Sequence, residues 1–145
     1  MTKLLDEAGI REYLGRNGVA NTALVSNVLS GFNLAKPMYE QRLEPGADLF
    51  QYMRRPASGR PDLRVGNWFC LRSASRRGLA IMDGLAGREI HHFRVYCELD
   101  ALEGEASRLS PNWHHEVGGI GGETQIFVPP LLIGRIHSVG NAHPW

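Results

Sequence analysis

The chain is poor in the residues that mark several large classes of protein. It has two cysteines, two lysines and no apolar run long enough to span a bilayer, so we expect no membrane insertion. Cys70 and Cys97 lie in apolar, strand-like segments without metal-ligand spacing, which indicates core residues rather than a disulfide or a nucleophile. The first residues lack the apolar segment of a signal peptide. We therefore expect export by another route, or as part of a larger exported protein.

The chain also lacks the short motifs of several enzyme classes. It has no His-Glu-x-x-His zinc motif, no Gly-x-Ser-x-Gly elbow and no Gly-Lys-Ser/Thr phosphate loop. The adjacent pairs His91-His92 and His114-His115 cannot each chelate one metal, because neighbouring residues of a strand point to opposite faces. We therefore expect no metal site, and we disfavour a Ser-His-Asp hydrolase.

The net charge of +1 is unevenly distributed along the chain. Residues 54–77 contain seven arginines and one acid, whereas residues 89–123 contain seven acids and two arginines. Fourteen of the sixteen basic residues are arginine, whose planar fork suits phosphate oxygens. The arginine-rich stretch is either a solvated basic face or a binding site for a phosphate-bearing ligand such as a nucleotide or nucleic acid.

The apolar pattern predicts one α+β domain, with residues 1–40 helical and residues 44–145 rich in strands. We expect one helix over residues 4–14 and a second that Asn21 caps and that ends by Gly31. A third helix is predicted over Ala74–Leu85. Gly and Pro residues separate the predicted strands, which are Asp48–Met53, Gly66–Leu71, Ile90–Leu99, Gly104–Leu109, Thr124–Val128 and Leu131–Val139.

A glycine-rich segment, Gly118-Gly119-Ile120-Gly121-Gly122, leads into Glu123-Thr124-Gln125 and then an apolar run. Residues i and i+2 of a strand share a face, so we expect Glu123 and Gln125 to point the same way. This segment is either a tight hairpin or a mobile loop beside a site. An amide that begins an apolar strand needs polar partners, which favours the site.

The order of these segments along residues 44–140 resembles the ADP-ribosyltransferase-like toxins of bacteria. It is most similar to the domains of polymorphic toxin systems and to the necrotizing-toxin family of NAD glycohydrolases. The resemblance rests on short segments in a fixed order, closed by the glycine loop and Glu-x-Gln. These segments are Asp48–Met53 followed by Arg54-Arg55, Gly66–Leu71, Arg76-Arg77 before Leu79-Ala80, His91–Tyr96 and Leu102–Ala106.

The resemblance implies two small antiparallel sheets around an NAD cleft, preceded by the N-terminal helices. It also implies a role for eight residues. Gln125 would contact the nicotinamide ribose, with Glu123 beside it and His92 on a neighbouring strand as further catalytic residues. The residues that would bind the cofactor are Arg54, Arg55, Trp68, Phe69 and Arg77. One departure is that Gln51 stands where many transferases have an arginine that grips NAD.

The chemistry of breaking the nicotinamide–ribose bond suits these residue types. The reaction passes through a cationic sugar, which a carboxylate such as Glu123 can stabilise while arginines hold the pyrophosphate. We expect an NAD glycohydrolase toxin that acts in the cytoplasm of a target cell and has a cognate immunity protein as partner. Two alternatives stay open: transfer of ADP-ribose to a protein or nucleic-acid acceptor, and a non-catalytic nucleotide- or protein-binding module.

Overall fold

The computed structural model describes residues 2–54, 67–70, 88–106, 124–139 and 143–144. Two α-helices, nine strands and a short 3-10 helix lie in these ranges. The helices are α1 (Glu7–Arg16) and α2 (Thr22–Ser30), and the 3-10 helix is Pro130–Arg135. The strands are β1 (Thr2–Leu5), β2 (Met38–Leu43), β3 (Asp48–Arg54), β4 (Trp68–Cys70), β5 (Arg88–Val95), β6 (Leu99–Glu105), β7 (Thr124–Phe127), β8 (Ile136–Ser138) and β9 (His143–Pro144).

All nine of these strands join in one antiparallel sheet in the order β1-β2-β6-β7-β4-β3-β5-β8, and β9 also pairs with β5. The prediction of two small sheets around an NAD cleft, preceded by helices, is therefore wrong. Strand β7 is the reason, because it pairs with β6 on one side and with β4 on the other. It thereby joins the strands that would have formed separate sheets.

Each of the two helices begins directly after a side chain that caps its N-terminus. The Asn21 side chain accepts from the backbone N–H groups of Ala23 and Leu24, which confirms the predicted start of α2. Helix α2 ends at Gly31, as predicted. The first helix begins later than predicted, because Asp6 caps α1 by accepting from the Gly9 N–H. The preceding residues form β1 instead, so the chain's first described element is a strand.

The sheet carries a hydrophobic core on each face. The helix-side core contains residues of α1 and α2, such as Tyr13 and Leu29, packed on Leu102 and Phe127 of the sheet. The far-side core contains Phe69, Phe93 and other residues of the opposite face. Neighbouring residues of β6 and β7 divide between the two cores, as strand alternation requires.

Several predicted boundaries differ from the structure. Residues 131–139 begin in the 3-10 helix, because Pro130 favours a helical start, and only Ile136–Ser138 form a strand. Strand β6 begins at Leu99, and Gly104 lies inside it. A Cβ at Gly104 would come within 2.9 Å of the Phe32 ring, so glycine permits a close approach of α2's end to the strand.

The predicted helix over Ala74–Leu85 lies outside the described residues. None of the helices within the described ranges is long and apolar enough to cross a membrane.

Candidate functional site

Four side chains lie in register across four adjacent strands. Gln125 of β7 is opposite Cys70 of β4, Cys70 is opposite Phe50 of β3, and Phe50 is opposite His92 of β5. Directly opposite residues share a face, and neighbouring strands are about 4.8 Å apart, so this cross-strand row is about 14 Å long. It lies on the helix side of the sheet, the same face as Trp68 and Phe127. The structure thus brings Gln125 and His92 to one face.

The end of α2 contacts Gln125 at one end of the row. The Gln125 side chain is half-buried, and its Nε2 donates to the carbonyl oxygen of Gly31 over 3.4 Å. The contact is long for a hydrogen bond, so it orients the amide without using its full capacity. The remaining donor and acceptor groups of the amide suit the hydroxyl groups of a sugar.

Trp68 lies between the helix-side core and the row. Its ring centroid is 5.2 Å from that of Phe32 and 5.0 Å from that of Phe127. The indole also packs on Gly31, where an added Cβ would come within 2.6 Å of its Cη2 atom. Asn67 fixes the start of β4, because its Nδ2 donates to the carbonyl oxygen of Val128 over 2.9 Å. Trp68 is therefore held beside the row by strand register and by the absence of a side chain at Gly31.

An ionic cluster lies at the other end of the row. Oδ1 of Asp48 contacts Nε2 of His92 at 2.7 Å and accepts from Nε of Arg94 at 3.2 Å. These hydrogen bonds, that of His92 first, hold the pKa of Asp48 below its ordinary value. The His92 ring also stacks on Phe50, with centroids 4.8 Å apart and planes 13° from parallel.

The Asp48 carboxylate determines which histidine nitrogen carries a proton. Since Asp48 is ionised at neutral pH, Nε2 of His92 is the N–H donor of their contact. In the neutral ring, Nδ1 is then the basic nitrogen. A histidine that donates to a carboxylate through one ring nitrogen has the arrangement of a general base, with the other ring nitrogen as the proton acceptor.

Those of the other predicted site residues that the structure describes take no register position in the row. Phe69 is 2% exposed in the far-side core, where its ring meets that of Phe93 edge-on at 5.5 Å. Arg54 is the last residue of β3 and is opposite Arg88 in register. Glu123, Arg55 and Arg77 lie outside the described residues.

Gln51 also lies on the face opposite the row. It is 8% exposed, and its Nε2 donates to the carbonyl oxygen of Trp68 over 2.9 Å. The residue that stands in the place of the expected arginine is thus a buried amide that braces β3 against β4.

Sequence reasoning missed Asp48, Phe50, Cys70 and Arg94. Alternation along β3 puts Asp48 and Phe50 on one face, and this could have been read from the sequence. Their proximity to His92 and Arg94 could not, because it depends on the pairing of β3 with β5. Within the described ranges, no group of three or more histidine, cysteine or acidic side chains is arranged to hold a metal ion.

No protein-family model matches the sequence, and no curated protein matches it by sequence. The fold is similar to that of a chain in the structure of Tse6 in complex with Tsi6, with a TM-score of 0.72 and 17% identity over 91% of this chain and 92% of that one. It is also similar to a chain in the structure of Rhs1-CT in complex with its cognate immunity protein RhsI1, with a TM-score of 0.53 and 18% identity over 74% of this chain and 80% of that one. The chain therefore has a fold that occurs in both of these complexes, one of which contains a cognate immunity protein.

Proposed function

We propose that this chain is a toxin domain that hydrolyses NAD to nicotinamide and ADP-ribose. The observation that carries the proposal is the register that aligns Gln125, Cys70, Phe50 and His92 on one face. An amide can hydrogen-bond the ribose hydroxyls of a nicotinamide riboside, and an apolar stretch can contact its nicotinamide ring. A histidine–carboxylate pair can accept a proton from the attacking water. In this proposal NAD lies across the face of a single sheet.

Each part of the row has a role in the proposed reaction. Gln125 hydrogen-bonds the ribose hydroxyls, and the aromatic surface of Phe50 and Trp68 contacts the nicotinamide ring. Arg94 adds positive charge near Asp48 and supports the pyrophosphate. The predicted phosphate contacts Arg54, Arg55 and Arg77 remain part of the proposal.

The bond changes are those of a hydrolysis at the ribose carbon. The bond between that carbon and the nicotinamide nitrogen breaks, and nicotinamide leaves as a neutral molecule. Water attacks the cationic sugar and passes its proton to Nδ1 of His92, whose ring the Asp48 carboxylate orients through Nε2. Glu123, which directly precedes β7 in sequence, stabilises the sugar cation.

Nicotinamide release tests this assignment directly. Purified protein is incubated with NAD, and free nicotinamide is measured for the wild type and for Gln125→Ala, His92→Ala and Glu123→Ala. We expect each substitution to lower turnover by about tenfold or more, as for the loss of one positioned polar group. Gln41→Ala and His137→Ala are the matched controls, because both residues lie on other strands, Gln41 beside Thr2 and His137 against Tyr96.

A second assay, incubation of the protein with labelled NAD and a cell lysate, distinguishes the alternatives. Label from NAD that becomes fixed on macromolecules of a lysate identifies a transferase, whereas free ADP-ribose identifies a hydrolase. If the wild type neither consumes NAD nor inhibits growth when expressed inside cells, the chain is a non-catalytic binding module and the proposal is wrong. Full activity in all three site variants would reject the site while leaving NAD cleavage intact.

The proposal includes a cognate immunity protein and action in the cytoplasm of a target cell, where NAD is available. The support is the fold shared with chains of two complexes, one of which contains a cognate immunity protein. We expect delivery by a non-classical route. We also expect a small, acidic partner encoded nearby, whose co-expression restores the growth of cells that produce this chain.

A further inference from the structure

A cavity of about 400 Å³ lies away from the cross-strand row, where α1, β2, the start of β6 and the 3-10 helix meet. Asp100 on its wall is four residues from Gly104 along β6, and Gly104 is opposite Gln125. At about 3.3 Å per residue, this separates the cavity from the row by about 13 Å. The proposed hydrolysis uses none of its lining residues. Its volume is in the range of small-molecule sites.

Three arginines line this cavity, from α1, β2 and the 3-10 helix: Arg16, Arg42 and Arg135. Two acids, Glu98 and Asp100, line it as well.

Arg42 hydrogen-bonds both acids, and its single positive charge balances one of their two negative charges. Its Nε donates to Oδ1 of Asp100 at 2.7 Å, its Nη2 to Oδ2 at 3.4 Å, and its Nη1 to Oε2 of Glu98 at 3.1 Å. The Asp100 carboxylate, first of all, raises the pKa of Arg42 above its ordinary value. Both carboxylates therefore contact Arg42 rather than the other two guanidinium groups, of which Arg16 pairs with Glu40 and Arg135 forms no ion pair within the described residues.

Arg135 is held in place without a carboxylate. Its Nη1 donates to the backbone carbonyl oxygen of Glu98 over 2.7 Å, and it forms no ion pair within the described part of the chain. Most of its N–H donors are thus unused by described partners. A guanidinium in this state is prepared for a ligand that carries negative charge.

Arg16 lines the cavity from the end of α1. Its Nη2 donates to Oε1 of Glu40 at 2.6 Å, and its Cζ lies 5.9 Å from the centre of the Tyr13 ring. Both contacts orient the guanidinium and leave its Nε and Nη1 free of described partners. Leu99 and Leu132 add apolar surface to the same cavity.

We propose that this cavity is a second binding site, for a small phosphate-bearing anion. Arg135, which has no described ion pair, and the N–H groups that Arg16 does not use for Glu40 come from two different elements. Together they favour a ligand with several acceptor oxygens, and a phosphate group offers more of these than a single carboxylate. The volume exceeds that of one phosphate group, and the leucine side chains suit an attached organic part. The ligand class is therefore a phosphate ester or a short polyphosphate.

Isothermal titration calorimetry at 150 mM salt tests this site with inorganic pyrophosphate, ADP and acetate as probes. We expect saturable one-to-one binding of pyrophosphate or ADP and none of acetate. Tighter binding of ADP than of pyrophosphate identifies an organic phosphate as the ligand, and equal binding identifies an inorganic one. Absence of saturable binding by both phosphate probes overturns the proposal.

Variants locate the binding. Arg135→Gln and Arg16→Gln should each weaken it by about tenfold or more, because each removes charge-assisted hydrogen bonds. Arg11→Gln is the matched control, since Arg11 lies on the same helix as Arg16 but pairs with Glu7 and does not line the cavity. Unchanged binding in both cavity variants, or an equal loss in the control, means that the anion binds elsewhere or only through net charge.

Discussion

Gly31 provides a sharp test of how the end of α2 meets the candidate site. An alanine Cβ at this position would come within 2.6 Å of Trp68 Cη2 and 3.0 Å of Cζ2, where about 3.4 Å is the lower end of ordinary contact. The indole would have to shift by about 0.8 Å or more, and packing in the helix-side core opposes that shift. Gly31→Ala should therefore destabilise the protein.

The magnitude follows from two opposing effects. Overpacking of this kind costs about 1–3 kcal/mol. The backbone at Gly31 is right-handed helical (φ −75°, ψ −16°), so alanine is compatible with it and recovers about 0.5–1 kcal/mol. The net loss in the free energy of unfolding is about 1 kcal/mol, between limits of about 0 and 2.5 kcal/mol. For a chain of this length a loss of about 1 kcal/mol corresponds to a fall of about 3–4 °C in Tm.

Gly15→Ala is the matched control. Gly15 lies within α1, and a Cβ there has no described atom within 4 Å. This variant should gain about 0.5–1 kcal/mol from helix propensity alone. Urea denaturation followed by circular dichroism measures both variants against the wild type.

Gly31→Ala should also affect the proposed activity. The Gly31 carbonyl accepts from Gln125, so displacement at this position should lower nicotinamide release as well as stability. If Gly31→Ala is as stable as Gly15→Ala, the indole does not pack on Gly31 and our description of this end of the row fails.

Two further predictions concern pH. Tyr13→Phe should cost about 1 kcal/mol, because the buried hydroxyl donates to the Asp100 carbonyl oxygen at 2.5 Å. Burial, above all, raises the pKa of Tyr13. The stability that its hydroxyl contributes to the folded protein is therefore complete below about pH 10 and is lost at higher pH. Alkaline denaturation curves should therefore be flatter in the variant; identical curves would exclude Tyr13 as the titrating group. Asp48→Asn should flatten the acid side of the curve of unfolding free energy against pH. The lowered pKa of Asp48 stabilises the folded protein above about pH 4, and this stability is lost as the pH falls. Urea titrations between pH 2 and 7 measure this, and an unchanged profile would show that the contacts with His92 and Arg94 contribute nothing in solution.

Local signals in the sequence predicted the helices better than the strand partners. Asn21 and Gly31 correctly predicted the start and the end of α2, because capping depends on residues close in sequence. Thr2–Leu5 escaped prediction because this strand forms only by pairing with Met38–Leu43, more than thirty residues away. The leucines of the first segment fit a helical pattern equally well, and the distant pairing decided between the two states.

The candidate site shows the same limit. Gln125 was predicted from its segment and His92 from the family resemblance, and alternation assigns each a face once a strand is known. The order of strands cannot be read from alternation, so the sequence could not reveal that Phe50 and Cys70 connect the two. Phe69 illustrates the reverse: it adjoins Trp68 in sequence, but the pleat of β4 separates their side chains onto different cores.

The cross-strand row also has a consequence for how such a domain can vary. Side chains in the row can be exchanged one at a time without moving their neighbours. A single-residue insertion or deletion within β3 would instead move Leu49 or Gln51 into the position of Phe50, since a shift by one residue exchanges the two faces of a strand. It would break the alignment with His92 and place a core residue on the face of the row in the same step. Homologous domains should therefore tolerate changes of length in their loops, whereas the spacing within β3, β4, β5 and β7 stays constant even where the residues themselves differ.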